Sequence, residues 1–203
     1  MKVEILERTE LYRGFVRLEQ IRLRHERFDG QMSPTMALEI ISRHHDSVAV
    51  LPYDPRTDTV ILIRQFRIGA YLAGETGWCV EIVAGHCIDP DIPANARREV
   101  LEEIGWEVTE LQPIVRYYPS PNFSNERLHL FLGIIDSQNR ARPGGGLLQE
   151  NEDIQAFPLS FDQALHLVDT GQLSNSPTLL GMQWLAQHRD ALRQQAKQCD
   201  HNP

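Results

Sequence analysis

The chain has 203 residues, 41% of them hydrophobic and 24% charged, with a formal net charge of −8. These are the proportions of a soluble globular protein with one domain-sized core. The acidic balance, with no Lys/Arg block, argues against a nucleic-acid partner, and no run approaches the roughly 20 apolar residues of a membrane span. The start, Met1 to Arg8, is charged and alternating rather than signal-like, so a cytoplasmic location is expected. Cys79, Cys87 and Cys199 are odd in number, form no CxxC and show no ligand spacing with His44, His45 or His86. They read as reduced thiols, not as a zinc site or a disulfide framework.

Taken in chain order, the first half reads as strands and turns. Val3 and Ile5 alternate with charges; Val16, Leu18 and then Ile21, Leu23 do the same, with a change of phase that suggests a bulge. Asp29-Gly30 signals a turn, followed by a possible strand over Met36–Ser42. Strong strands are expected over Ser47–Tyr53 and Thr59–Arg67, separated by the turn residues 54–58, and another over Gly77–Ala84. Ile92–Ile104 reads as a helix stopped by Gly105. Strands near Leu111–Tyr118 and Leu128–Ile135 follow. Ser160 and Gln163 form a capping box for a helix over Ser160–Thr170 that Gly171 ends. The last helix starts with Ser176 as N-cap and Pro177 in the first turn, buries Leu179, Leu180, Met182, Trp184 and Leu185, and frays after about Gln194. Many strands, one helix, more strands and two helices make a mixed α/β (α+β) sandwich rather than a regular βαβ repeat.

The residues that point to chemistry lie on the middle helix. Glu99, Glu102 and Glu103 stand at i, i+3 and i+4, so three carboxylates share one face. Considered alone, such a face is most simply a solvated acidic surface. A divalent cation would instead turn the repulsion into a binding site, and hard oxygen ligands at this density suit Mg²⁺, with Mn²⁺ as a substitute. The wider pattern favours the second reading: Arg98, Glu99, Glu102, Glu103 and Gly105 together would match by chance in roughly one window in a million at average usage.

Gly85 and the run from Arg98 to Trp106 resemble the Nudix box, a loop-helix-loop of the form Gly-x5-Glu-x7-Arg-Glu-U-x-Glu-Glu-x-Gly-U with U apolar. Two departures stand out. The segment from Gly85 to Arg98 is one residue short, and the Glu of the loop half is missing, Asp91 being the nearest acid. The resemblance covers nearly the whole chain. Residues 11–15, 30–33, 67–71 and 150–154, with Ser120-Pro121, are similar to the bacterial ADP-ribose pyrophosphatase branch. The short box, residues 62–67 and the triple glycine 144–146 look equally like the GDP-mannose branch.

The resemblance implies a Nudix α/β/α sandwich over residues 44–194, with a mixed sheet, an N-terminal β-rich arm over 1–43 and a polar tail over 195–203. It also implies a homodimer in which the arm is exchanged. Glu99 and Glu103 would be the principal metal ligands, with Glu102 in support and the Ala84 carbonyl completing the set. Arg98 would hold the carboxylates in register. In the acidic loop, Glu150 would be the general base and Glu152 a further ligand and catalytic group, with the glycines before them a flexible hinge; the two glutamates could exchange roles. Arg67 would contact a phosphate or the nucleotide. Phe15 would stack on the base, or else be a core residue. Glu126 would reach the terminal sugar. Two further departures fall where substrate is read: Asn122-Phe123 replaces a glycine pair, and Met36-Ala37-Leu38 replaces expected basic residues. The implied reaction is metal-dependent hydrolysis of a nucleoside diphosphate sugar, ADP-ribose giving AMP and ribose 5-phosphate. GDP-mannose or another nucleotide sugar is the alternative, and a non-catalytic binding module a third reading.

Overall fold

The computed structural model describes residues 1–200, with side chains through Gln198. The Cys199 side chain and the last three residues lie outside the described residues; Cys79 and Cys87 are thiols, as expected. The chain divides into two compact units, Met1–Asp46 with Tyr117–Leu128, and the remainder.

The first unit is built on a three-stranded antiparallel sheet in the order β1 (Val3–Arg13), β2 (Arg17–His25), β3 (Met36–Ser42). The bulge suggested by the phase change within residues 16–23 is not there: β2 pairs without interruption with both neighbours, and the two register shifts, at Ile5/Glu7 and Glu10/Tyr12, fall on β1, which skips Leu6 and Leu11. Gly30, with φ of 80°, makes the turn that Asp29-Gly30 signals. Residues 117–128 belong to this unit because their backbone is bonded to the end of β3. Ile41 N–H donates to the Phe123 carbonyl at 2.7 Å, and Asn125 N–H to the Ile41 carbonyl at 3.4 Å. Nothing in the local sequence announces that return.

The second unit holds a seven-stranded sheet whose main path is β10-β5-β4-β9-β8, with β6 paired to β5 and β7 to β4. Its strands are β4 (Ser47–Asp54), β5 (Thr59–Phe66), β6 (Trp78–Glu81), β7 (Val83–His86), β8 (Glu110–Tyr117), β9 (Leu128–Ile134) and β10 (Gln155–Ser160). All eight residues of β4 are buried, which requires cover on both faces of the sheet. On one face Val48, Val50, Ile61 and Ile63 form a core with Ala96 and Val100 of α2 (Ile92–Glu103). On the other, Leu51 packs within 4 Å of where a side chain on Gly181 would lie, in α4 (Ser176–Asp200). Helices on both faces make the expected sandwich.

Four further details depart from the sequence reading. The strand expected over 77–84 is two strands, because Ile82 N–H turns out of the ladder to the Thr178 hydroxyl at 3.0 Å and the chain changes partner from β5 to β4. β10 carries no expectation from sequence; it contains Pro158, which an edge strand tolerates. A short helix, α1 (Ile68–Leu72), follows β5 directly. Finally, α4 is capped by Asn175, whose side chain accepts from Thr178 N–H at 3.2 Å, so Ser176 is already helical. That helix leaves Leu180 exposed, and it continues to Asp200 where fraying was expected. The capping box at Ser160 and Gln163 of α3 (Phe161–Asp169) forms as read, with Gly171 at φ of 72° beyond its end.

Candidate active site

The carboxylate face is not a solvated surface. Glu99 is 8% exposed and Glu103 only 1%, while Val100 and Ile104 fill the core beneath them. Leu101, expected beside them, is only half-buried. Arg98 donates from Nη2 to Glu99 at 2.7 Å and to the His86 carbonyl at 3.1 Å, and from Nη1 to Glu102 at 2.7 Å. It therefore fixes two of the three carboxylates and ties α2 to the end of β7. Gly85 sits under the same group. A side chain there would meet the Glu99 carboxylate at 2.1 Å, so anything larger than glycine would displace that carboxylate from its present place.

The shortened loop before α2 is closed by a residue that the box pattern does not mark. Asn95 is 1% exposed. Its side-chain oxygen accepts from Ile88 N–H at 3.0 Å and Asp89 N–H at 3.3 Å, and its amide donates to the carbonyls of Asp89 at 2.8 Å and Asp91 at 2.7 Å. Asp91 stands at the helix N-cap and accepts from Ala94 N–H. The loop acid thus serves the helix end rather than the carboxylate group. A polar residue on the buried side of an amphipathic helix was the available signal for Asn95.

The acidic loop is brought to the C-terminal end of α2. Gly145 N–H donates to the Glu103 carbonyl at 2.8 Å and Gly146 N–H to the Glu102 carbonyl at 3.2 Å. The triple glycine is therefore docked on the helix end, not the slack hinge its composition suggested. A side chain on Gly146 would collide with Glu152 at 2.5 Å. Glu152 is half-buried, and one of its oxygens accepts from Leu147 N–H at 2.8 Å. Glu150 ends a short 3-10 turn and is exposed.

Electrostatics link these residues. Burial pushes the Glu99 carboxyl up to about 7 against the pull of Arg98, with Glu102 and Glu152 adding repulsion. Burial, then the charges of Glu99 and Glu152, push Glu103 well above the ordinary carboxylate range, while Arg67 and the Ala84 N–H pull it down. The second Glu103 oxygen, Oε2, is buried without a hydrogen-bond partner. Among the described residues no three acid, His or Cys side chains already converge into a cage, and Arg98 and Leu147 engage Glu99, Glu102 and Glu152. By donor type, burial, mutual repulsion and the orphaned oxygen, the set nevertheless fits a hard divalent cation.

Arg67 caps the start of α1 and donates from Nε to the buried Glu81 at 2.8 Å. Phe15 and Glu126 belong to the first unit. Phe15 lies between β1 and β2 and is 84% exposed, so it is not a core residue; the Arg43 guanidinium lies 5.5 Å from its ring centre. Glu126 is half-buried, with its N–H on the Ser124 hydroxyl. A cavity of about 1420 Å³ is lined by Arg64, Trp78, Cys79, Asp153 and Phe157 among others, but by none of the clustered carboxylates. It is a separate feature.

Residues 43–179 match the NUDIX domain model. The chain belongs to the Nudix family. An ADP-ribose pyrophosphatase of Escherichia coli (strain K12) is 41% identical over 192 residues, covering 94% of this chain and 91% of the relative. One of Haemophilus influenzae is 36% identical over 199 residues, covering 96% and 91%. A GDP-mannose pyrophosphatase of Escherichia coli O1:K1 / APEC is 37% identical over 142 residues, covering 69% and 73%. A crystal structure of an ADP compounds hydrolase superposes with a TM-score of 0.70 at 20% identity, covering 93% of this chain and 97% of that one; at that identity it supports the Nudix fold. The matched span includes the buried Glu99 and Glu103 and the half-buried Arg98.

Proposed function

We propose that the protein hydrolyses the pyrophosphate bond of a nucleoside diphosphate sugar, with ADP-ribose the preferred substrate and AMP and ribose 5-phosphate the products. The observation that carries the chemistry is the buried, mutually repelling pair Glu99 and Glu103 with an orphaned Glu103 oxygen. A module that only binds nucleotide has no use for such a costly arrangement. For the substrate, the ADP-ribose pyrophosphatases align along 94% and 96% of this chain, whereas the GDP-mannose relative aligns along 69%.

Glu99, Glu103, Glu152 and the Ala84 carbonyl would hold the cation, proposed to be Mg²⁺ with Mn²⁺ able to replace it. When bound, the cation offsets charge on the diphosphate oxygens and lowers the pKa of the attacking water. Arg98 holds Glu99 and Glu102 in position. Glu150, exposed two residues before Glu152, is the proposed base that takes the water's proton. Arg67 would bind the diphosphate, Phe15 would stack on the base, and Glu126 would reach the terminal sugar.

We further propose a homodimer through the arm of residues 1–43. The exposed Val3, Ile5, Leu6, Leu11 and Tyr12 of β1 offer apolar surface that a second copy would cover. The thiols Cys79 and Cys87 are compatible with the cytoplasm as the compartment. Among the described residues no helix is long and apolar enough to cross a membrane.

The test is kcat/KM for ADP-ribose and for GDP-mannose at equal Mg²⁺, with products identified. A ratio of about tenfold or more toward ADP-ribose, roughly 1.4 kcal/mol of discrimination, is expected. The reverse ratio would move the substrate to the guanine nucleotide sugar, and no hydrolysis of either would end the nucleotide-sugar reading.

A further inference from the structure

Glu81 closes β6, opposite Ile63 of β5, at a position where the sheet otherwise presents apolar side chains to the core. It is 5% exposed. A carboxylate this deeply buried is costly unless its oxygens are fully engaged. Both are. Oε2 accepts from Arg67 Nε at 2.8 Å and from Gln65 Nε2 at 3.2 Å; Oε1 accepts from Asn175 Nδ2 at 2.7 Å. Asn175 is itself immobilised as the cap of α4, through Thr178 N–H. The next residues of the same turn are tied to the sheet by Ile82 N–H on the Thr178 hydroxyl.

This chain of bonds ends on an arginine that would otherwise be loose. Arg67 has a side chain 43% exposed, where a guanidinium without an anchor samples many rotamers. Its Nε is taken by Glu81, and its Nη groups have no hydrogen-bond partner among the described residues. Its charge also acts on Glu103, lowering that carboxyl against the effect of burial. A fork held at one nitrogen, with the other two open, is pre-organised for a bidentate oxyanion.

We propose that Glu81 is the positioning residue for Arg67: anchored by Gln65 and Asn175, it holds the guanidinium by Nε and leaves both Nη groups for the diphosphate of the substrate. The inference rests on Arg67 being a diphosphate ligand, as read above. Glu81 touches no substrate and takes no part in proton transfer. It is instead the element that converts the rigidity of the sheet and of α4 into the placement of one substrate contact.

A double-mutant cycle with ADP-ribose and Mg²⁺ tests this, with KM and kcat resolved separately and thermal stability measured alongside. Arg67→Ala should raise KM about tenfold or more, the scale of a lost hydrogen bond to a charged group. Glu81→Gln keeps the shape and removes the charge, and should raise KM about threefold to tenfold with kcat little changed. In the Arg67→Ala background, Glu81→Gln should cost less than a further twofold in kcat/KM, although its effect on Tm persists. A structural Glu81 would instead lower kcat/KM equally in both backgrounds, which overturns the proposal. So does a Glu81→Gln enzyme with wild-type KM while Arg67→Ala is impaired; the Arg67 reading then stands. An unimpaired Arg67→Ala enzyme removes both. Should Glu81→Gln not fold, Asn175→Ser keeps a side chain able to cap the helix, removes the amide donor to Glu81 without adding a charge, and carries the same expectations.

Discussion

At the scale of single residues, Glu103 carries the metal-face reading. It is buried and pressed by two other carboxylates, with one oxygen unpartnered. Replacing it by glutamine removes a charge without changing shape. Turnover with Mg²⁺ should fall about a hundredfold or more, the typical loss when one electrostatic partner of a reacting centre is removed. In excess EDTA the same variant should be at least as thermally stable as the parent, because a buried uncompensated charge has gone. Steady-state assays and melting curves check both halves. Undiminished turnover in Glu103→Gln, or full activity of the parent in excess EDTA, would sink the metal-face reading. The sequence showed that three carboxylates share a face, from spacing alone. It did not show that Glu103 is inside and Glu102 only half-buried, because burial depends on what packs over the helix.

At the scale of elements, the site is a helix held at both ends. At its start, the buried Asn95 closes the shortened loop with four part-buried hydrogen bonds. Asn95→Ala removes the side-chain partner of two part-buried N–H groups and two carbonyls, and should destabilise the protein by about 1–3 kcal/mol, read from denaturant unfolding. Stability within 0.5 kcal/mol of the parent, as an ordinary surface change would give, would mean that the loop does not depend on it. At the helix end, the glycines dock the acidic loop so that Glu152 acts electrostatically on Glu99 and Glu103. Glu152→Gln is expected to lower turnover and to raise the Mg²⁺ concentration needed for half-maximal rate. Glu150→Gln should lower turnover by about a hundredfold, in the range for loss of a general base, without that shift in metal requirement. Equal, unimpaired turnover in both variants would remove the loop from the chemical step.

At the scale of the whole second unit, the turn between β4 and β5 is clamped to α4. Asp58 sits in the left-handed region, at φ of 59°. It accepts hydrogen bonds from Arg189, from Arg193 at 3.1 Å and from the Tyr53 hydroxyl at 2.8 Å. Burial alone would raise its pKa, but the bonds from Arg189 and Tyr53 outweigh burial and hold it below the ordinary 3.8. A depressed folded-state pKa stabilises the fold above the unfolded value and ceases to do so as pH falls through the folded one. Stability from this clamp should therefore be complete near neutrality and lost below about pH 4, from the reference carboxylate value. Asp58→Asn keeps a residue that tolerates the left-handed conformation and removes the charge. It should cost about 1–3 kcal/mol at pH 7, or several degrees in Tm. The difference from the parent should narrow in acid. A gap that stays constant from pH 7 to pH 3 would show that the charge is not what holds α4.

The sequence by itself determined the local features. Spacing put Glu99, Glu102 and Glu103 on one helix face. The capping box at Ser160, the turn at Gly30 and the strand β4 were legible because each is a short-range pattern of propensity and periodicity. The box pattern likewise named Arg98 and Gly85. What only the tertiary structure decided were contacts between residues far apart in the chain. These include Arg67 on Glu81, Glu81 on Asn175, the glycine loop on the end of α2, and residues 117–128 joining the first unit. Packing also turned local expectations aside: the strand over 77–84 broke at Ile82 to change partners, and α4 outran its polar composition with Arg193 held by Asp58. The physical reason is common to all of these. Periodicity says which way a side chain points from its own element, but hydrogen bonds and buried charge are made with groups whose approach the rest of the fold dictates.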